Sequence, residues 1–96
     1  MNKNYDQAKV AVDAVIFTIK EGALWVYLES REKPPFIGQM QLPGGLLLEG
    51  ETAEETLSRK LKDNLGHSEV YFQQFHTFTS PKRDPRARVV SIGFIF

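Results

Sequence analysis

Ninety-six residues, 42% hydrophobic and 11% aromatic, can bury one modest core and no more. The formal net charge of zero argues against a broadly basic nucleic-acid surface in this segment, and the absence of cysteine excludes disulfides and thiolate metal sites. The opening MNKNYDQAK is polar and lacks the apolar stretch of a signal peptide, and no apolar run is long enough to span a bilayer. Residues 1–9 are therefore expected to be a flexible N-terminus, no membrane contact is expected, and the cytoplasm is the default location.

Val10 to Ile19 is nearly all apolar or β-branched, which predicts one strand buried on both faces, with Lys20-Glu21-Gly22 as the turn after it. Leu24, Val26 and Leu28 then alternate with Trp25, Tyr27 and Glu29, so a second strand should pair with the first, and Arg31 closes it. Both a solvated strand end and a ligand-facing guanidinium suit Arg31. Lys33-Pro34-Pro35 cannot continue a central strand, because each proline removes a ladder donor and restricts the residue before it.

Leu42-Pro43-Gly44-Gly45 leads into GLLLEGETAEETLSRKLKDNLGH, which reads as a sharp loop feeding a short acidic helix. Adjacent glycines allow close approaches that a Cβ would forbid. Thr52 and Glu55 have the spacing of a capping box, Gly66 lies where a left-handed residue would end the helix, and Leu57, Leu61 and Leu65 form the buried stripe. Arg59 lies one turn from Glu55, while Lys60, Asp63 and Asn64 share another face at i, i+3 and i+4. A glycine loop on an acidic helix is what chemistry on a metal-bound pyrophosphate needs. Val70 to Thr79, with Tyr71, Phe72, Phe75 and Phe78, predicts a further strand whose rings are mostly core, and Val89 to Phe96 predicts a last apolar strand.

At Gly45 to His67 the chain resembles the Nudix family, whose signature is G-x5-E-x7-R-E-U-x-E-E-x-G-U, with U a bulky aliphatic residue. Gly45, Glu51, Arg59, Leu61 and Gly66 match it, and Gly38-Gln39-Met40-Gln41-Leu42-Pro43-Gly44-Gly45 is similar to the G-x-W-x-L-P-G-G run that precedes the signature. The departures are Lys60, Asp63 and Asn64 where the family has its three metal-binding glutamates, and His67 at the last aliphatic position. Those glutamates sum to −3, whereas Lys60, Asp63 and Asn64 sum to zero. A unit charge about 5 Å from a divalent ion contributes on the order of 6 kcal/mol at an effective dielectric constant of about 20, so a Glu-to-Lys exchange weakens a magnesium site severely. The resemblance implies an α/β fold, the Nudix-type α/β/α sandwich with a mixed sheet. The family's second helix and closing strands do not follow, so the expectation is one partial domain over residues 1–96, truncated after the strand ending at Phe96. Exposed strand surface then predicts association, for which a homodimer is the simplest form.

The basic loop SPKRDPRAR places Lys82, Arg83, Arg86 and Arg88 against Asp84, a local charge of +3, while Glu49, Glu51, Glu54 and Glu55 give −4 across the glycine loop and helix start. Brought together, they would form an acidic and a basic wall suited to a phosphate ligand. The segment from Asp84 to Ser91 resembles ADP-ribose pyrophosphatase-like Nudix domains and the sensor domains of Nudix-related transcriptional regulators of NAD metabolism. In those regulators a winged helix, missing here, binds DNA. The resemblance implies a non-catalytic sensor for ADP-ribose or a similar nucleotide sugar, contacted by Arg31, Gly44, Gly45, Arg86 and Arg88, with Glu51 and Arg59 holding loop to helix and no cofactor required. The alternative is a magnesium-dependent pyrophosphohydrolase in which Glu51, Arg59 and Asp63 are catalytic and Glu55 and Asp63 hold the metal. A domain kept only for packing is the third reading.

Overall fold

The computed structural model describes residues 4–5, 7–34, 36–65, 71–81 and 87–96. In chain order the elements are β1 (Lys9–Val15), β2 (Phe17–Lys20), β3 (Ala23–Val26), β4 (Glu29–Ser30), β5 (Met40–Gln41), β6 (Gly44–Leu46), α1 (Ala53–Leu65), β7 (Gln73–Phe78) and β8 (Val89–Ile95). β1 thus takes in Lys9, the last residue of the expected terminal segment. A four-stranded sheet of order β6-β1-β8-β7 carries the fold, with β1 and β8 parallel and both edge strands antiparallel to their neighbours. It is a mixed sheet, and α1 lies against its β1–β6 side. Among the described residues no helix is long and apolar enough to cross a membrane.

Strand alternation decides which face is the core. In the parallel register Val12 lies opposite Ile92 and Ala14 opposite Phe94, so these four side chains point the same way. Onto them α1 lowers Leu57 and Leu61, two positions of the predicted leucine stripe. Val12, Ala14, Leu57, Leu61 and Phe94 are buried, and Ile16, Leu47, Ala53, Phe72 and Ile92 close the cluster. The third predicted leucine, Leu65, is the last residue of α1, and the expected C-terminal Gly66 lies outside the described residues.

Three expectations are corrected. The strand predicted over Val10 to Ile19 is two strands, separated at Ile16. β2 leaves the sheet and pairs only with β3, from Phe17 opposite Val26 to Lys20 opposite Ala23. Glu21 and Gly22 turn between them with φ of 53° and 74°, the doubly positive pattern of a type I′ hairpin. The apolar side chains of this hairpin meet solvent, with Ile19 78% and Leu24 68% exposed. The aromatic segment after the helix is likewise not mainly core. β7 is an edge strand with a register shift between Gln74 and His76. Phe75 and Phe78 consequently lie over Gly93 on the face away from α1, 48% and 40% exposed, and only Phe72 packs against the core. Finally, β8 is covered more than its position in the sequence suggests, since it is flanked on both edges, and Ser91 and Gly93 on its second face are buried.

Candidate functional site

The helix start is built by short-range hydrogen bonds that the sequence spacing foretells. The Glu55 N–H donates to Thr52 Oγ1 at 3.1 Å and the Thr52 N–H donates to Glu55 Oε1 at 3.2 Å, a reciprocal capping box. Glu51 precedes it and gathers three residues. Its carboxylate accepts from the Leu48 N–H at 3.0 Å, from Thr56 Oγ1 at 2.9 Å, and from Arg59 through Nε at 2.9 Å and Nη2 at 3.1 Å. The Arg59 guanidinium, helped by the Leu48 N–H, holds the Glu51 carboxyl down to about 2, and Glu51 in turn raises the pKa of Arg59. Arg59 also donates to the Leu46 carbonyl at 3.3 Å, so one fork ties helix, loop and edge strand together.

The two glycines of β6 serve different close approaches. A Cβ on Gly44 would lie 2.1 Å from the Val12 carbonyl oxygen, so only glycine lets this strand lie against β1. A Cβ on Gly45 would lie 2.3 Å from Lys60 Cε and 3.1 Å from its Nζ, so the lysine stem crosses directly over Gly45. Gly44 and Gly45 line a cleft of about 300 Å³ with Asp13, Arg31, Gln41 and Leu46. Gly44 also borders a second one of about 550 Å³, together with Lys60, Gln41, Ser30 and Glu29.

Arg31 is held at the first cleft by its own strand ends. Its N–H donates to Gln39 O and its carbonyl accepts from Gly38 N–H, while Nη1 donates to Gln41 Oε1 at 3.0 Å and Nη2 to Pro34 O at 3.3 Å. The structure therefore brings Arg31, Gly44 and Gly45 together. Arg88 is half-buried just before β8 and does not line that cleft, although its neighbour Val89 does. Lys82, Arg83, Asp84 and Arg86, which make up most of the expected basic wall, lie outside the described residues.

Among the described residues the donor set for a divalent ion does not assemble. Both oxygens of Glu51 are engaged by Arg59, Glu55 is turned into the capping box, Asp63 is exposed on α1, and an ammonium, Lys60, lies on the glycine strand. Among the described residues no three His, Asp or Glu side chains converge. Magnesium calls for oxygen ligands in near-octahedral array, and the residues present do not fit it.

Sequence reasoning passed over Asp13, the one charge inside an apolar strand. Its carboxylate accepts a hydrogen bond from Ser91 Oγ across the β1–β8 pair and lines the first cleft. An acid in the middle of VAVDAV was the available signal. Gln41, which orients Arg31, and the fully buried Thr56, which supports Glu51, carried no such signal.

Known proteins resemble this chain in sequence and fold. The chain is 38% identical over 91 residues to an ADP-ribose pyrophosphatase of Methanocaldococcus jannaschii, covering 95% of this chain and 52% of that protein. It is 30% identical over 91 residues to an ADPR responsive transcriptional repressor of Acinetobacter baylyi, covering 93% and 36%. It thus spans about half of the first relative's length and about a third of the second's. Among solved structures, the NUDIX domain of Shewanella oneidensis NrtR, a complex with ADP ribose, superposes with a TM-score of 0.86 at 33% identity, over 96% of this chain and 61% of that one. Residues 7–96 match the NUDIX domain model, and with the glycine strand, the Glu51–Arg59 fork and the mixed sheet in place, the chain belongs to the NUDIX domain family.

Proposed function

We propose that this domain binds ADP-ribose or a related nucleotide-sugar pyrophosphate without hydrolysing it, as the effector sensor of a transcriptional regulator of NAD metabolism. The observation that carries this reading is the use of the box carboxylates. Glu51 is locked to Arg59 and Glu55 to the Thr52 cap, leaving Asp63 alone on the helix face where a bridging metal requires several oxygen ligands. Arg31, Gly44 and Gly45 offer the phosphate contacts at the cleft, and Arg86 and Arg88 are further ligand contacts in this reading. In this reading the ligand alters the hold of a DNA-binding partner domain. The repressor and the ADP-ribose complex among the relatives support the ligand class.

Phosphorus NMR of the protein with ADP-ribose and magnesium tests it. The pyrophosphate resonances should shift or broaden without giving way to AMP and ribose 5-phosphate, and binding should survive EDTA. Appearance of the two monophosphates would instead establish the second reading, a magnesium-dependent hydrolase working with Glu51, Glu55 and Asp63. That reading draws on the 38% identity to an ADP-ribose pyrophosphatase.

A further inference from the structure

We propose that the Lys60 ammonium and the Gly44 N–H together form a metal-independent phosphate subsite at the outer edge of β6; this rests on the pyrophosphate reading above and names the cation that serves it. Three observations converge. First, the Lys60 stem is pinned across Gly45, close enough that any Cβ there would collide with it, so the ammonium is delivered to a defined place. Second, among the described residues the ammonium meets no carboxylate: the ion pair found among them is Arg59 with Glu51, and Glu29 and Glu32, which share the cleft with Lys60, do not come within ion-pairing distance of it. A half-buried lysine that meets no carboxylate among the described residues favours an anionic ligand.

Third, the ladder supplies a backbone donor. The Ala14 N–H donates to Pro43 O and the Leu47 N–H to Val10 O, and Val12 lies opposite Gly45, so the odd-numbered residues of this segment are the ones bonded to β1. By the alternation of an antiparallel pair, Gly44 and Leu46 turn their polar groups outward. The Leu46 carbonyl confirms the direction, because Arg59 reaches it from outside. The Gly44 N–H is therefore an edge donor in the same cleft as Lys60, a space of about 550 Å³ that accommodates a diphosphate. One ammonium with rotatable donors and one fixed N–H suit the several oxygens of a phosphate better than the two of a carboxylate.

The test is calorimetric titration with ADP-ribose and with inorganic pyrophosphate, both in EDTA, on the wild type, Lys60→Gln, Lys60→Arg and Gly45→Ala, with thermal unfolding of each as a fold control. Lys60→Gln should weaken both ligands by about tenfold or more, the loss of one charge-assisted contact. Lys60→Arg should keep most of the affinity, and Gly45→Ala, which displaces the lysine without removing its charge, should weaken binding while the protein stays folded. Wild-type binding of ADP-ribose that is unchanged in Lys60→Gln overturns the subsite and leaves the sensor reading standing. Failure of the wild type to bind either ligand overturns both.

Discussion

Glu51 is the residue on which loop, helix and edge strand depend, and its chemistry gives a signed pH dependence. Its carboxyl is held at about 2 when folded, against 4.5 when free. Depressed in the fold, it contributes stability that is fully present above the unfolded value and is lost as pH falls through the folded one. Glu51→Gln should therefore lower Tm at pH 7, and the gap to wild type should narrow below about pH 4.5 and close near pH 2. A gap that stays constant across that range would show that Arg59 is not the partner that matters. The neighbouring glycines should separate just as cleanly. Gly44→Ala puts a methyl 2.1 Å from a backbone oxygen that cannot move, and should abolish folding or detach β6, whereas Gly45→Ala meets only a flexible lysine. Circular dichroism of the two variants distinguishes them. On the same helix face, changing Lys60, Asp63 and Asn64 together to Glu should raise magnesium affinity by at least tenfold, since even a heavily screened share of about 6 kcal/mol per charge exceeds the roughly 1.4 kcal/mol that a decade requires. An unchanged metal titration would sink the electrostatic account.

Among the elements, α1 joins site to core. Thr52→Ala removes the cap that satisfies the Glu55 N–H and should cost about 1 kcal/mol, or roughly 4–8 °C in Tm for a domain of this size. Leu61→Ala opens a void beneath a residue that is 2% exposed and should cost about 2–5 kcal/mol, read from the midpoint of urea unfolding. Both positions were legible in the sequence because the contacts that define them are local: a cap closes over three residues and a leucine stripe follows the helical period. The hairpin turn at Glu21-Gly22 was legible for the same reason. The break at Ile16 was not, since the composition does not change there; what changes is that β1 has neighbours on both edges and β2 has none beyond β3. The placement of Phe75 depends on a register shift that no pattern of apolar residues encodes. At the site, the departures at Lys60, Asp63 and Asn64 could be read directly, but Lys60 lying on Gly45 depends on how α1 is set against β6, and Asp13 meeting Ser91 depends on strands from opposite ends of the segment.

For the molecule as a whole, the projecting β2–β3 hairpin carries a built-in reporter. Trp25 is the chain's only tryptophan, is 52% exposed, and donates its indole N–H to the Lys20 carbonyl at 3.2 Å. Its fluorescence should be readily quenched by acrylamide in dilute solution. A blue shift with rising protein concentration would reveal the self-association expected from the sequence, and emission independent of concentration would count against the hairpin as its surface. The sheet has a further consequence, for the order in which the chain can fold. Its two central strands are the first and the last of the described elements, and the hydrogen bond between Asp13 and Ser91 closes a separation of 78 residues. Local pieces such as the hairpin and the capped helix can form early, but a parallel pair of such separation must wait for nearly the whole segment and meet the entropy of closing that loop. On a ribosome, the apolar β1 therefore emerges well before its partner exists, and the domain reaches its native sheet only after residue 95 is free to pair.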